Sequence, residues 1–161
     1  MSDAIVSRMR TNNRKPESKL RDFIKVEMSG RWIMTWHEDR EVNPGVPDIS
    51  YVMSGGDYET GWLELKSVEN VKKETAHFEV QPSQHFWISN HHSRIPVHFL
   101  CSVDMLDFYL VPGSQHIRLA APIHLKELES ISIVKMHADE VGKTLASFLR
   151  QSTLRGRHAS E

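Results

Sequence analysis

The sequence has almost no cysteine and no long apolar run, the features typical of disulfide-rich secreted proteins and of membrane proteins. It contains a single cysteine, Cys101, among 161 residues, so no disulfide can form within one chain. A chain that does without disulfides is typical of a reducing compartment, and we expect a cytoplasmic protein. The sequence also lacks an apolar run long enough to span a bilayer and an apolar N-terminal signal segment, so we expect no membrane partner.

An excess of charge of one sign is also missing, since the formal net charge is −1. Basic residues are concentrated instead: seven basic and two acidic residues lie between Arg8 and Lys25. The chain shows no P-loop, no internal repeat and no Ser/His/Asp arrangement. Of its ten histidines, only His91 and His92 are adjacent, and the cysteine and histidine spacing of a zinc site is missing.

What is present is the composition of one ordinary globular domain, with 39% apolar and 25% charged residues. We assign the domain to residues 16–151. A flexible basic arm over residues 1–15 precedes it, and a polar tail over residues 152–161 follows it. Cys101 lies in an apolar run and is predicted to be a buried core thiol.

The most informative stretch runs from Pro44 to Glu69. It contains two segments rich in β-branched, aromatic and aliphatic residues, 46–52 and 61–68, separated by a turn-rich connection. We predict two adjacent antiparallel strands. Because side chains alternate across a strand, one face of the second strand carries Trp62, Glu64, Lys66 and Val68, and the other carries Leu63 and Leu65.

Charged residues on this second strand predict a site for a divalent metal ion. Glu64 and Lys66 are costly to bury on an otherwise apolar strand unless something pairs them. Asp48, sixteen residues before Glu64, places a second carboxylate on the neighbouring strand. Carboxylate oxygens are the hard ligands that Mg²⁺ prefers. We expect Asp48 and Glu64 to hold Mg²⁺, with the backbone carbonyl of Leu65 as a third ligand.

The order Gly45-Val-Pro-Asp48 and then Glu64-x-Lys66 resembles the PD-(D/E)XK nuclease superfamily. The most similar group contains the Holliday junction resolvases, the phage resolvase-like endonucleases and the VRR-Nuc domains. The resemblance spans roughly residues 16–112 and implies an α/β (α+β) fold with a restriction-endonuclease-like core, a central mixed sheet flanked by helices. It implies that Asp48 and Glu64 bind Mg²⁺ or Mn²⁺, and that Lys66 positions and activates the hydrolytic water.

Two helices supply the accessory residues of this family. Residues 16–28 are predicted to form a helix that Pro16 opens, and the early acidic residue of the family corresponds to Glu17, with Glu27 as the alternative. Residues 81–92 form a second predicted helix, opened by Pro82. The helical Gln of the family, which borders the metal site, corresponds to Gln84, and Gln81 is the weaker alternative.

Further elements follow from pattern. Strands are predicted over 31–38, 97–103 (central in the sheet) and 107–111, and an amphipathic helix that packs on the core over 139–151. We interpret 67–80 as a flexible flap and 114–123 as irregular or a short helix. Residues 126–134 fit either a helix or an edge strand.

The resemblance implies a Mg²⁺-dependent DNA endonuclease. We expect branched DNA, such as a four-way junction, as its substrate and a homodimer as its assembly, because a symmetric junction calls for two active sites. The alternatives are a sequence-specific, homing-type, flap or general repair endonuclease, and a catalytically silent DNA-binding module. A phage origin would suit the small size. The candidate DNA contacts are Arg8, Arg10, Arg14, Lys15, Lys72 and Lys73.

Overall fold

The centre of the fold is a mixed six-stranded sheet flanked by helices, an α/β architecture. The computed structural model describes residues 15–38, 41–54 and 60–158 of the chain. The strands are β1 (Trp32–Trp36), β2 (Ile49–Met53), β3 (Thr60–Val68), β4 (Thr75–Ala76), β5 (Val97–Val103), β6 (Asp107–Pro112), β7 (Ile123–His124) and β8 (Val134–His137). The helices are α1 (Pro16–Glu27), α2 (Pro82–His91), α3 (His116–Leu119), α4 (Leu125–Ile131) and α5 (Val141–His158).

The large sheet has the strand order β1-β2-β3-β5-β6-β8. Neighbouring strands are antiparallel except β3 and β5, which are parallel. A parallel pair needs a crossover connection, and the chain between β3 and β5 contains β4 and α2. This crossover carries α2 onto the face of the sheet to which Glu64 and Lys66 point.

One face of the sheet packs against α1 and α5. Helix α1 buries Leu20, Phe23 and Ile24, which recur at the spacing of one helix face. The ring of Phe23 stacks on Phe108 of β6 with 4.9 Å between ring centroids. Helix α5 adds Val141, Leu145 and Leu149 to the same core, so its apolar side is used for core packing as predicted.

The second face of the sheet packs against α2, α3, α4 and the small β4–β7 sheet. Its core contains Ile88 of α2, Phe99 of β5, Tyr109 of β6 and Leu128 of α4. Cys101 is a buried free thiol in this core, as predicted, and burial raises its pKa. Among the described helices, none combines the length and the apolar character needed to cross a bilayer.

The structure confirms most predicted elements, and it changes the interpretation or the bounds of others. The predicted flap over 67–80 is wrong, because β4 pairs with β7 and both Ala76 and Phe78 are buried in the core. The 126–134 segment begins as helix α4, and the strand that follows, β8, starts only at Val134. Helix α5 extends through His158 into the predicted tail. Residues 1–14 of the predicted basic arm lie outside the described residues.

Candidate functional site

The candidate site lies just before β2 begins, where β3 extends beyond its pairing with β2 and pairs only with β5. The β2–β3 pairing reaches the Ile49–Leu63 contact, and Asp48 occupies the next position. Its Oδ2 atom accepts a hydrogen bond from the Leu65 N–H at 2.9 Å. Its own N–H donates to Oε2 of Glu64 at 3.2 Å. These two bonds replace the strand ladder and hold the two carboxylates side by side.

Lys66 and Gln84 complete a buried polar network with Glu64. The Lys66 Nζ donates to Oε1 of Gln84 at 3.0 Å and lies 3.1 Å from Oε1 of Glu64. The Nε2 of Gln84 in turn donates to Oε1 of Glu64. Gln81, the alternative residue, is the N-cap of α2 and donates its backbone N–H to Oε1 of Gln84 at 2.9 Å. The structure therefore places Gln84, not Gln81, against Glu64 and Lys66.

Electrostatics in this network favour an additional cation. Glu64 is 1% exposed. Burial, and secondly the neighbouring carboxylate of Asp48, raise its pKa from the ordinary 4.5 to about 7, although the ammonium of Lys66 acts in the opposite direction. The ammonium of Lys66 therefore does not offset the burial of Glu64 and its repulsion with Asp48. A divalent metal ion at these oxygens would remove the remaining repulsion.

The backbone carbonyl of Leu65 also faces the two carboxylates. In an extended strand the N–H and the C=O of one residue face the same neighbour. Since the Leu65 N–H donates to Asp48, the Leu65 carbonyl faces the same edge, beyond the first residue of β2. Two carboxylates and one carbonyl make a set of oxygen donors. In the described part of the chain, no group of three or more His, Cys, Asp or Glu side chains is placed to hold a metal ion.

A cleft of about 440 Å³ reaches Lys66 from the side of α1. Glu17, at the start of α1, lines this cleft together with Lys66. Glu27, the alternative acidic residue, lies ten residues further along α1, roughly 15 Å along the helix axis, where its carbonyl accepts a hydrogen bond from Arg31. Of the two candidates, only Glu17 lies near the predicted site.

The structure adds residues that the sequence reasoning missed. Glu79 and His77 line the same cleft as Glu17, although they come from the segment interpreted as a flap. Arg21, one helical turn after Glu17, places its Nη2 atom 3.8 Å from Oδ1 of Asp48. The i, i+4 spacing of Glu17 and Arg21 was a usable signal for Arg21. No comparable signal pointed to Glu79.

Only some of the residues predicted to contact DNA are among those that the structure describes. Lys15 is exposed and lines the cleft beside Glu17. Lys72 and Lys73 are exposed on the turn that precedes β4. The others, Arg8, Arg10 and Arg14, lie outside the described residues, so these contacts all remain predictions.

Gly45 couples the loop before Asp48 to the first turn of α2. Its φ is +84°, and a Cβ atom at this position would lie 2.0 Å from the Ser83 carbonyl oxygen. We expect Gly45→Ala to lower the free energy of unfolding by roughly 3 kcal/mol, because left-handed strain and a backbone clash add. Urea unfolding would measure this.

Gly30→Ala is the matched control for this prediction. Gly30 has a similar φ of +74° but no atom within 4 Å of the added Cβ. It should lose only the strain, roughly 1 kcal/mol. Equal losses for the two variants would show that the Gly45–Ser83 contact does not constrain the site.

Comparison of the sequence with models of known protein families, and with curated proteins, gave no match. The arrangement of Asp48, Glu64, Lys66 and Gln84 is therefore the observation that bears most directly on function.

Proposed function

We propose that this protein is a Mg²⁺-dependent DNA endonuclease with a restriction-endonuclease-like core of the PD-(D/E)XK kind. The observation that carries the proposal is the buried network beside the first residue of β2. In it the Asp48 N–H donates to Glu64 and the Lys66 ammonium donates to Gln84. A short motif alone is a weak signal. A motif whose four polar residues are all buried and mutually bonded is a stronger one, because such groups are costly to keep without a use.

The donor set suits Mg²⁺. This ion usually binds proteins through one or two carboxylates and keeps several waters, or takes substrate phosphate oxygens. Asp48, Glu64 and the Leu65 carbonyl match this pattern, and Mn²⁺ should substitute. Glu17, across the cleft, would act through a water or a second ion. When bound, the ion would lower the pKa of a water molecule and neutralise charge that develops on the phosphate.

Lys66 has the central role among the residues of the chain itself. Its ammonium has three N–H donors, of which Gln84 and Glu64 engage two. The third can orient the attacking water or stabilise the phosphate oxyanion in the transition state. Gln84 fixes the position of the ammonium by accepting from Lys66 while it donates to Glu64.

We propose branched DNA, such as a four-way junction, as the substrate and a homodimer as the active assembly. A four-way junction presents equivalent strands for two symmetric incisions, which two copies of one site related by a two-fold axis would serve. The alternatives are cleavage of linear duplex, with or without sequence specificity, and DNA binding without cleavage.

Cleavage of a labelled four-way junction beside its linear duplex arms tests the proposal. We expect the wild type to cut the junction with Mg²⁺ or Mn²⁺ and not with EDTA, and Glu64→Ala to be inactive under every condition. Equal cutting of the linear arms would indicate a general nuclease, and discrete fragments from one sequence would indicate a sequence-specific one. DNA binding without any cutting would indicate a silent module and overturn the proposal.

A further inference from the structure

A pair of cations anchored on Trp36 lies beside the candidate site. The guanidinium of Arg21 lies 4.8 Å from the centroid of the Trp36 ring, and the Lys25 ammonium lies 5.1 Å from it. Both residues come from α1, one helical turn apart, and Trp36 ends β1. One aromatic ring therefore holds two positive charges in a fixed arrangement, because a cation is attracted to the face of an indole.

These charges are only partly neutralised. Arg21 donates to Oε1 of Glu38 at 2.9 Å, and the side chain of Glu38 is 69% exposed. Lys25 is exposed and has no carboxylate partner within the ranges that the structure describes. An exposed ion pair is worth little, so Glu38 is a weak competitor for a ligand with a more concentrated negative charge.

The position of the pair indicates what it binds. Arg21 Nη2 lies 3.8 Å from Oδ1 of Asp48, a proposed metal ligand, and Lys25 lies one turn further from the site. We infer that Arg21 and Lys25 hold consecutive phosphates of the DNA strand next to the cleavage position, and that Trp36 positions both cations for this contact. This inference rests on the proposed function, since it names the surface along which the substrate backbone leaves the site.

The chemistry supports a phosphodiester strand over an acidic peptide. An arginine fork matches two oxygens of one phosphate, and the two residues that carry the cations lie one helical turn apart on α1, about 6 Å along the helix axis. This separation is close to that of adjacent phosphates in a nucleic acid strand. Two neighbouring cations on one helix face therefore fit a nucleic acid backbone, and they would read no base sequence.

Salt-dependent DNA binding separates this role from a structural one. Each lost phosphate contact should reduce the slope of log K against log salt concentration by about 1. We would measure binding of labelled junction and linear duplex by fluorescence anisotropy at several salt concentrations. All variants would be made in Glu64→Gln protein, so that bound DNA stays intact in the presence of Mg²⁺.

In this background Arg21→Ala and Lys25→Ala should each weaken binding roughly five- to tenfold and lower the slope by about 1. Arg21→Lys keeps the charge, so it should preserve the slope while losing some affinity. Trp36→Leu, with its fold checked by circular dichroism, should also lose affinity without a change of slope, because both cations remain. Lys126→Ala, an exposed lysine on α4, is the matched control and should change neither quantity.

Glu38→Gln gives a test in the opposite direction. Removing the competing carboxylate should tighten DNA binding about threefold, which loss of a merely structural ion pair would not do. DNA binding that Arg21→Ala and Lys25→Ala leave unchanged in strength and slope would overturn the inference and leave the proposed function standing. Failure of the Glu64→Gln protein to bind any DNA, with no cutting by the wild type, would overturn both.

Discussion

Replacing Lys66 with methionine is expected to slow metal-dependent DNA cleavage by roughly 10³-fold. Methionine keeps most of the volume of the side chain and removes its charge. The ammonium that Glu64 and Gln84 hold in place would be lost, and with it the group that we propose to orient the water or to stabilise the oxyanion. Single-turnover cleavage of a four-way junction at saturating Mg²⁺ would measure the effect.

The fold should survive this substitution. Without the ammonium, Glu64 can take up a proton, because burial and Asp48 already raise its pKa to about 7. DNA binding should stay within about twofold of wild type, since a contact made only in the transition state does not contribute to ground-state affinity. At a pH high enough to keep Glu64 ionised, Mg²⁺ affinity should be equal or higher, because a positive charge next to the proposed ligands is removed.

Lys19→Met is the matched control, because Lys19 and Lys66 are equally buried, at 4% exposure each. Lys19 also pairs with a glutamate, Glu69, at 2.8 Å, but outside the candidate site. Its replacement should cost stability and leave the cleavage rate within about threefold of wild type. Full activity of Lys66→Met, or an equal loss of activity in Lys19→Met, would remove Lys66 from the chemistry.

The sequence predicted those features of the site that depend on periodicity. Alternation in β3 placed Glu64 and Lys66 on one face and Leu65 on the other, because the period of a strand is two. The family resemblance assigned Gln84 to the helix after the second strand, and Gln84 is a buried residue of α2. The position of Cys101 in an apolar strand predicted a buried thiol, and the structure confirms it.

Strand boundaries and long-range contacts were harder to predict. Strand β2 begins at Ile49, three residues after the predicted start. Pro47 has no N–H, and the Asp48 N–H donates to the Glu64 side chain instead of a ladder partner, so neither residue can extend the strand. These exceptions to strand pairing are the same ones that build the candidate site.

Contacts between distant segments left no local pattern in the sequence. The flap interpretation failed because Thr75 pairs with His124, on a strand that lies far along the chain. Helical spacing placed Arg21 on the same side of α1 as Glu17, but its approach to Asp48 depends on how α1 packs against the sheet, which the spacing does not encode. Residues of this kind were found only once the packing of the helices on the sheet was known.

A second large effect is expected in the pH dependence of the metal-free protein. The pKa of Glu64 is about 7 in the folded state, against an ordinary value of 4.5. Between these values the folded protein keeps a proton that the unfolded chain has released, so folding binds protons. Glu64 therefore lowers the free energy of unfolding progressively as pH rises from about 4.5 to 7, by roughly 3 kcal/mol in total.

Glu64→Gln removes this titration. Its stability relative to the wild type should rise by roughly 3 kcal/mol between pH 4.5 and pH 8, as measured by urea unfolding in EDTA. His98 titrates in the opposite sense, because burial lowers its pKa to about 4, so it costs stability as pH falls below 6.5. His98 is present in both proteins, so its contribution cancels in the difference between them.

Binding of Mg²⁺ should also depend on the protonation of Glu64. A metal ion at Glu64 must displace the proton, so its affinity should fall about fivefold from pH 7 to pH 6 and level off above pH 8. Calorimetry in buffers of different ionisation enthalpy should detect proton release on binding at pH 6. A mutation of Glu69, a partly exposed carboxylate paired with Lys19, should leave this release unchanged. Parallel stability curves for the wild type and Glu64→Gln, together with Mg²⁺ affinity independent of pH, would show that Glu64 is neither the titrating group nor a metal ligand.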